Sequence, residues 1–209
     1  MIRRKSKHVH FLWICIDFLF WCDIIINVIK SLENKRGDYL VATKGVKYPD
    51  KELYDFVMQE LDKRGINEIE VGKVAYELQH EYYPDVTVEQ FGSELKNVLK
   101  KREVLNILAV GFELDNLAAE NKLTPVLHTI IANDLGMFGV DEALAFNITQ
   151  LYGTISSSNF GLGDKVKLGL AKKLDNEDGK VNTFADDLFL ALCSAVVARF
   201  GHGSALALQ

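Results

Sequence analysis

The chain has 209 residues, of which 48 % are hydrophobic and 25 % are charged, values that suit one folded domain with a sizeable core. Its formal net charge is −5, which argues against a general nucleic-acid-binding protein, because such proteins normally have a basic surface. The three cysteines form no C-x-x-C pair and lie in apolar runs, so we expect small buried hydrophobic residues in a reducing compartment.

Residues 1–30 differ from the rest of the chain. A basic start precedes an apolar run over residues 11–29, which is typical of a signal peptide or a membrane anchor. Asp17 and Asp23 interrupt the run, and each costs about 2.5–3.5 kcal/mol near a bilayer centre, so spanning is marginal. Three interpretations stay open: a membrane-associating helix, a helix packed on the domain, or an extension foreign to the natural protein. We favour the third, because folded-domain character begins abruptly near Pro49.

The chain is predicted to consist of three segments. An N-terminal apolar extension and linker covers residues 1–48, a helical domain covers residues 49–203, and a tail covers residues 204–209. The domain is expected to be all-α, because its apolar residues recur at helical spacing and no sustained alternation favours strands. Its most apolar helix, over residues 183–200, is expected to be central and surrounded by several others.

Local signals place the ends of the predicted helices. Thr87 and Gln90 match a capping box, and Pro125 fits the first turn of a helix. Residues 152–163 are rich in glycine, serine, threonine and asparagine, and we predict a loop there. The predicted helices span residues 50–64, 69–83, 88–101, 104–119, 125–133, 141–151, 164–174 and 183–200.

A first acidic cluster follows the helix that starts at Pro125. Asp134 precedes a glycine-rich turn, and Asp141 and Glu142 open an apolar helix. Taken alone, the cluster has a structural explanation, because carboxylates in a first helical turn complement the helix dipole by about 0.3–1 kcal/mol.

A second acidic cluster, Asp186 and Asp187, opens the most apolar helix. Thr183 to Asp186 could be a capping box, which would explain one of the two acids. Asp187 stands directly before a run that must be buried, where adjacent carboxylates repel each other and resist desolvation. A hard divalent cation such as Mg²⁺ removes both problems.

A third cluster combines Asp164 with basic residues. Lys165 and Lys167 follow it directly, and Lys172 and Lys173 lie one or two turns further on. A solvated basic face is one interpretation. The other is that Lys167 neutralises a phosphate while Asp164 joins a metal site. A helical bundle can bring such polar helix ends together and build a metal site from facing side chains.

Other chemistries lack their motifs. The sequence contains no G-x-S-x-G elbow, no Walker A loop and no zinc-type histidine spacing.

At these residues the sequence resembles the phosphatidylglycerophosphatase A family, in particular its compact branch from Gram-positive bacteria. The resemblance covers about residues 51–202. The pattern shared most widely in the family is an Asp seven residues before an Asp-Glu pair, then an Asp-x-x-Lys-Pro stretch, then an Asp-Asp doublet. The matching stretches are residues 98–104, Asp134 to Glu142, Tyr152 to Thr154, Asn159 to Gly161, Asp164 to Lys167, and Thr183 to Asp187.

The resemblance implies an all-α fold, Mg²⁺ dependence and hydrolysis of phosphatidylglycerophosphate to phosphatidylglycerol and phosphate in phospholipid biosynthesis. Two departures bear on this. Leu168 replaces the family proline, and the phosphate-loop-like stretch of membrane-embedded members has no counterpart. We expect the metal ligands among Asp134, Asp141, Glu142, Asp164, Asp186 and Asp187. The expected catalytic residues are Asp141, Glu142, Asp187 and Lys167, and the expected substrate-binding residues are Lys165, Lys167 and Asn159.

The expected partner is an anionic phospholipid at a membrane surface and no nucleic acid, with a homo-oligomer left open. We expect a cytoplasmic protein, with peripheral attachment to the inner face of the membrane as an option. Two alternatives stay open: an all-α metal-dependent hydrolase of a soluble phosphate or nucleotide, and a non-enzymatic membrane-associated interaction protein.

Overall fold

A computed structural model of the protein describes residues 45–202. Every regular element within these residues is an α-helix, which confirms the predicted all-α class. The compact helical unit begins at Pro49. The apolar run over residues 11–29 and the tail over residues 204–209 lie outside the described part of the chain. None of the helices between residues 45 and 202 combines the length and the apolarity needed to cross a bilayer.

The helices are named here in chain order. They are α1 (Asp50–Lys63), α2 (Glu68–Gln79), α3 (Val88–Ser93), α4 (Leu95–Val98), α5 (Arg102–Ala119), α6 (Pro125–Ala132), α7 (Val140–Gln150), α8 (Gly153–Val166), α9 (Leu170–Asp175) and α10 (Ala185–His202).

Helix α10 is the centre of the domain, as predicted. Its residues from Ala185 to Ala198 are buried on all sides, and α2, α7, α8 and α9 pack around it with further contacts from α3, α4 and α5. A helix that is apolar on every face must be enclosed by others, which explains this position. Cys193 is buried within α10, as expected for a small hydrophobic residue.

Helices α2 and α3 make the closest backbone contact of the fold described here. A Cβ atom on Gly72 would lie 2.2 Å from the carbonyl oxygen of Val88, and one on Gly92 would lie 2.1 Å from that of Glu68. The predicted capping box starts α3: the Gln90 backbone N–H donates to the Thr87 hydroxyl, and the Thr87 N–H donates to the Gln90 side chain. This contact therefore uses glycine and a complete cap, with no buried charge.

The predicted single helix over residues 88–101 is wrong, because the chain turns at Glu94 between α3 and α4. The Ser93 hydroxyl donates to the carbonyl oxygen of Gln90 at 2.7 Å and so competes with the helical backbone pattern. The Glu94 carboxylate accepts hydrogen bonds from Asn97 and Arg199, which anchors the turn to α10.

The predicted loop over residues 152–163 is also wrong, since α8 covers this stretch. The side chains of Ser157, Ser158 and Asn159 donate to backbone carbonyl oxygens four residues earlier, so they are satisfied within the helix. Phe160 of the same helix is buried and belongs to the core. Packing against α7 and α10 therefore outweighs the low helix propensity of the sequence.

The predicted helix over residues 164–174 is interrupted. Lys167 has a φ of 48° and ends α8 in the left-handed region, and Gly169 has a φ of 54° before α9 begins. A non-glycine residue adopts this conformation only where its surroundings hold it. Backbone hydrogen bonds at the helix end do so: the Lys167 N–H donates to the carbonyl oxygen of Asp164 and the Leu168 N–H to that of Gly163, each at 3.3 Å.

Candidate metal centre

An open cavity of about 180 Å³ lies where the first turn of α10 meets the first turn of α7. The loop between α6 and α7 and the end of α9 complete its wall. The wall is strongly acidic, with six carboxylates and one ammonium group: Asp134, Asp141, Glu142, Asp175, Asp186, Asp187 and Lys167.

The two acidic doublets converge in this cavity. Asp141, Glu142 and Asp187 each contribute a carboxylate oxygen to a group in which all oxygens lie within 4.8 Å of one another. Asp141 and Asp187 are buried, and Glu142 is exposed at the mouth. Residues 46 positions apart in the chain therefore share one side of one cavity, and a single ion could contact all three.

The loop before α7 has a tightly constrained backbone. Asp134, Met137 and Gly139 all have positive φ, at 45°, 68° and 65°. The last of these residues is the N-cap position of α7, and its left-handed conformation turns the chain so that Asp141 and Glu142 fall in the first helical turn. The loop thereby brings Asp134 to the cavity wall as well.

The start of α10 is fixed by a residue that sequence reasoning missed. Both carboxylate oxygens of Asp115, in the middle of α5, accept backbone N–H groups, from Phe184 and from Ala185, each at 3.1 Å. The capping box considered for Thr183 is not formed, because the Asp186 N–H donates to the carbonyl oxygen of Asn182 at 3.3 Å, while the Thr183 hydroxyl donates to the carbonyl oxygen of Ile131 at 2.6 Å. The signal for Asp115 was its position on the apolar face of α5, three residues after Phe112.

Lys167 is the basic residue of the described cavity wall. Its ammonium group donates to Asp164 at 2.9 Å, to Asp186 at 2.7 Å and to Asp187 at 3.3 Å. Burial by itself lowers the pKa of Lys167, but the hydrogen bonds and the charges of these carboxylates more than offset it and raise that pKa above its usual range. Lys167 therefore stays charged and partly neutralises the second doublet.

One ammonium group does not balance the buried carboxylates. Burial, followed by the negative charge of Asp186, raises the pKa of Asp187 to about 8. Burial and the adjacent Glu142 raise the pKa of Asp141 to about 7. Burial raises the pKa of Asp186 to about 6, although Lys167 opposes the shift. Without a bound cation, these three carboxyl groups therefore bind protons at a higher pH than exposed carboxyl groups do.

The donor set fits a hard divalent cation. All the convergent atoms are carboxylate oxygens, the ligands that Mg²⁺ prefers in proteins. In addition, Oδ1 of Asp141 is buried and has no hydrogen-bond partner among residues 45–202. A buried polar atom without a partner is costly, and a bound cation with its water would satisfy it.

The remaining predicted residues are placed as follows. Asp164 accepts a hydrogen bond from Lys167, which lines the cavity, but Asp164 itself is not part of the cavity wall. Lys165 is exposed near the end of α8, and the Asn159 side chain donates within α8 to Ile155, so neither lines the cavity. Their assignment to substrate stays a prediction. Asp175 lines the wall but was not predicted; its signal was an acid at a helix C-terminus, where the dipole disfavours it.

Comparison with known proteins gives consistent matches over this domain. The family model described as phosphatidylglycerophosphatase A matches residues 70–202. The uncharacterized protein YutG of Bacillus subtilis is 38 % identical over 143 residues, which cover 68 % of this chain and 86 % of that protein. The uncharacterized protein YpjQ of the same organism is 33 % identical over 156 residues, covering 75 % and 88 %. The crystal structure of the low temperature requirement C protein from Listeria monocytogenes matches with a TM-score of 0.70 and 36 % identity, covering 72 % of this chain and 96 % of that one.

Proposed function

The chain belongs to the phosphatidylglycerophosphatase A family, and from this premise we propose that it is a Mg²⁺-dependent phosphatase. Its proposed reaction is hydrolysis of phosphatidylglycerophosphate to phosphatidylglycerol and phosphate, a step of phospholipid biosynthesis. The observation that carries the proposal is the convergence of Asp141, Glu142 and Asp187 in one acidic cavity.

In the proposed mechanism the cation is held by the three convergent residues, with Asp186 beside them. When bound, Mg²⁺ lowers the pKa of a water molecule and neutralises charge on the transferring phosphoryl group. Asp141 would supply its buried Oδ1, which has no hydrogen-bond partner among residues 45–202, and Glu142 would complete the ligand set from the cavity mouth.

Lys167 and Asp134 have separate proposed roles. The ammonium group of Lys167 carries three N–H donors and can contact phosphate oxygens at the cavity wall while Asp164 holds it from behind. Asp134 lines the cavity outside the group of three oxygens, and burial together with Asp175 raises its pKa. A carboxyl group with a raised pKa is a suitable acceptor for the proton of the attacking water, so Asp134 is our candidate base.

The surroundings of the cavity favour a lipid phosphate over a soluble one. The loop that forms one wall exposes two large apolar side chains, Leu135 and Met137. Such residues suit contact with the surface of a bilayer, where the headgroup of the substrate lies. Lys165 is exposed on the basic stretch that includes Lys167 and can attract anionic lipid, at about 1 kcal/mol per charge close to the membrane. We therefore propose a cytoplasmic enzyme that acts at the inner face of the membrane.

The test is phosphate release by the full-length protein from phosphatidylglycerophosphate in mixed vesicles, compared with a panel of soluble phosphomonoesters and nucleotides. Each substrate is assayed with Mg²⁺ and with a chelator in its place. We expect release from the phospholipid that requires Mg²⁺. Faster Mg²⁺-dependent release from a soluble compound would favour a soluble-phosphate hydrolase instead. No release from any substrate, together with no Mg²⁺ binding, would favour a non-enzymatic protein.

A further inference from the structure

Asp115 lies outside the cavity wall, and its side chain is completely buried in the middle of α5. Its two oxygens accept the N–H groups of Phe184 and Ala185, which directly precede the doublet Asp186–Asp187. We propose that Asp115 is a positioning residue for the metal centre: it holds the first turn of α10 and so directs both carboxylates of the doublet into the cavity. The inference rests on the proposed metal-dependent function.

Within the described chain, local groups satisfy only part of the start of α10: the Ala185 N–H also donates to the carbonyl oxygen of Asn182 at 2.9 Å, and the Asp186 N–H donates to the same oxygen at 3.3 Å. The first N–H groups of a helix have no partner within the helix, and a nearby Ser, Thr, Asp or Asn usually accepts them. Here the nearby hydroxyl of Thr183 donates to Ile131 instead. Phe184 and Ala185 are fully buried, so water cannot replace a missing acceptor. Among the described residues, the Phe184 N–H therefore depends on a carboxylate about 70 positions earlier in the chain, and the Ala185 N–H shares that carboxylate with the Asn182 carbonyl oxygen.

Helix α5 contacts residues on both sides of the doublet Asp186–Asp187. Gly111 lies one turn before Asp115 on the same face of α5. A Cβ atom there would lie 2.6 Å from the Leu188 side chain and 3.2 Å from the Cβ of Phe184. The backbone of α5 thus approaches α10 at residues before the doublet and directly after it. A shift at this contact would turn Asp186 and Asp187 relative to Asp141 on α7.

The choice of a carboxylate at this place is costly, which argues for a specific role. Burial raises the pKa of Asp115 to about 7, although the two backbone hydrogen bonds and the charge of Arg64 oppose the shift. An asparagine would be less costly to bury but offers one acceptor oxygen, and its NH₂ group would face the second N–H donor. In the carboxylate, each oxygen accepts one of the two N–H groups.

The test uses the full-length protein with Asp115→Asn, and the matched control is Thr87→Ala. The control removes the cap of α3, a helix that carries no residue of the cavity wall. Mg²⁺ affinity is measured by titration calorimetry, and kcat and KM are measured at saturating Mg²⁺. For Asp115→Asn we expect Mg²⁺ affinity to fall about tenfold, the usual effect of removing a group that orients metal ligands. Thr87→Ala is expected to lose thermal stability and keep wild-type Mg²⁺ affinity.

Asp115→Asn with wild-type Mg²⁺ affinity overturns the inference, whether or not its stability falls, because Asp115 would then serve stability alone. If Asp115→Asn does not fold, Gly111→Ala displaces the same contact while keeping the carboxylate. Weaker Mg²⁺ affinity in Gly111→Ala supports the inference, and unchanged affinity overturns it. A wild-type protein that binds no Mg²⁺ overturns the proposed function together with this inference, whereas normal wild-type binding with unaltered variants overturns only the inference.

Discussion

The α2–α3 contact and the metal centre are both places where helices meet closely, but the first is formed by glycines and a helix cap and the second by buried carboxylates. At the α2–α3 contact two glycines let backbones touch, and a complete capping box satisfies the start of α3. At the metal centre the first turns of α7 and α10 bring together carboxylates whose pKa values are raised by burial. At the α2–α3 contact, the chain itself supplies the hydrogen-bond partners that cap α3. At the metal centre, the negative charge of the buried carboxylates is fully neutralised only when a cation binds.

The difference separates stability from function within one domain. Substitutions at the α2–α3 contact should weaken folding and leave the chemistry of the cavity unchanged. Substitutions of the buried carboxylates should abolish the chemistry and leave the metal-free fold as stable as before, or more stable. Functional sites commonly carry such a cost, because activity needs groups that folding alone would not favour.

The largest expected effect is at the metal centre. Asp187→Asn should lower Mg²⁺-dependent phosphate release by more than about a hundredfold, since it removes a ligand rather than a group that supports one. The same variant should show an equal or higher free energy of unfolding in urea without metal at pH 8, because a buried carboxylate with a raised pKa is replaced by a neutral group while Lys167 keeps Asp164 and Asp186 as partners. A large drop in metal-free stability would remove the contrast between the two regions.

The next effect is at the α2–α3 contact. Gly72→Ala would place a Cβ atom 2.2 Å from the Val88 carbonyl oxygen, so the two helices must move apart. We expect the free energy of unfolding to fall by about 1–3 kcal/mol, as overpacking usually costs. The Mg²⁺ concentration that gives half-maximal activity should stay at the wild-type value. A shift in that concentration would mean that the two regions are coupled.

A pH series sharpens the comparison further. Asp186, Asp141 and Asp187 have folded pKa values of about 6, 7 and 8, all above the usual 3.8 of the unfolded chain. Between these limits the folded protein binds more protons than the unfolded one, so metal-free stability should fall as pH rises from 5 to 8. Urea unfolding with a chelator should show this decline, and Asp187→Asn should make it shallower. Mg²⁺ binds the ionised groups, so it should stabilise the protein more at pH 8 than at pH 5.

The smallest expected effect is at the cap of α3. Thr87→Ala removes one half of the capping box and should lower the free energy of unfolding by about 1 kcal/mol. Thermal unfolding at pH 7 and pH 8 should show the same decrease at both values, because Glu89, the acid that Thr87 contacts, has a lowered pKa and stays ionised across this range. A decrease that depended on pH would connect this cap to the buried carboxylates.

The sequence predicts the regions where one physical signal dominates. Apolar spacing predicts α1, α5 and α10 with ends that differ from the structure by about two residues, because these helices each bury a continuous face. The acidic doublets were recognisable because they stand beside runs that must be buried. The grouping of Asp164 with Lys165 and Lys167 was recognisable from the sequence as well, and the structure brings Lys167 to the second doublet.

The features that sequence reasoning missed depend on contacts between distant residues. Helix α8 has the composition of a loop, and it is helical because it packs against α7 and α10. The Lys167 side chain has three carboxylate partners, and two of these lie 19 and 20 residues away. Asp115 finds its partners about 70 positions later. No local pattern of residues contains that information.

The central claim is that two acidic doublets far apart in the chain hold one cation between them. Calorimetric titration of Mg²⁺ into the wild-type protein, Asp141→Asn and Asp187→Asn tests it most directly, because each variant disables one doublet. The account predicts saturable binding to the wild type at millimolar Mg²⁺ or below, and loss of that binding in both variants. Wild-type affinity in either variant, or no saturable binding to the wild type, would contradict it.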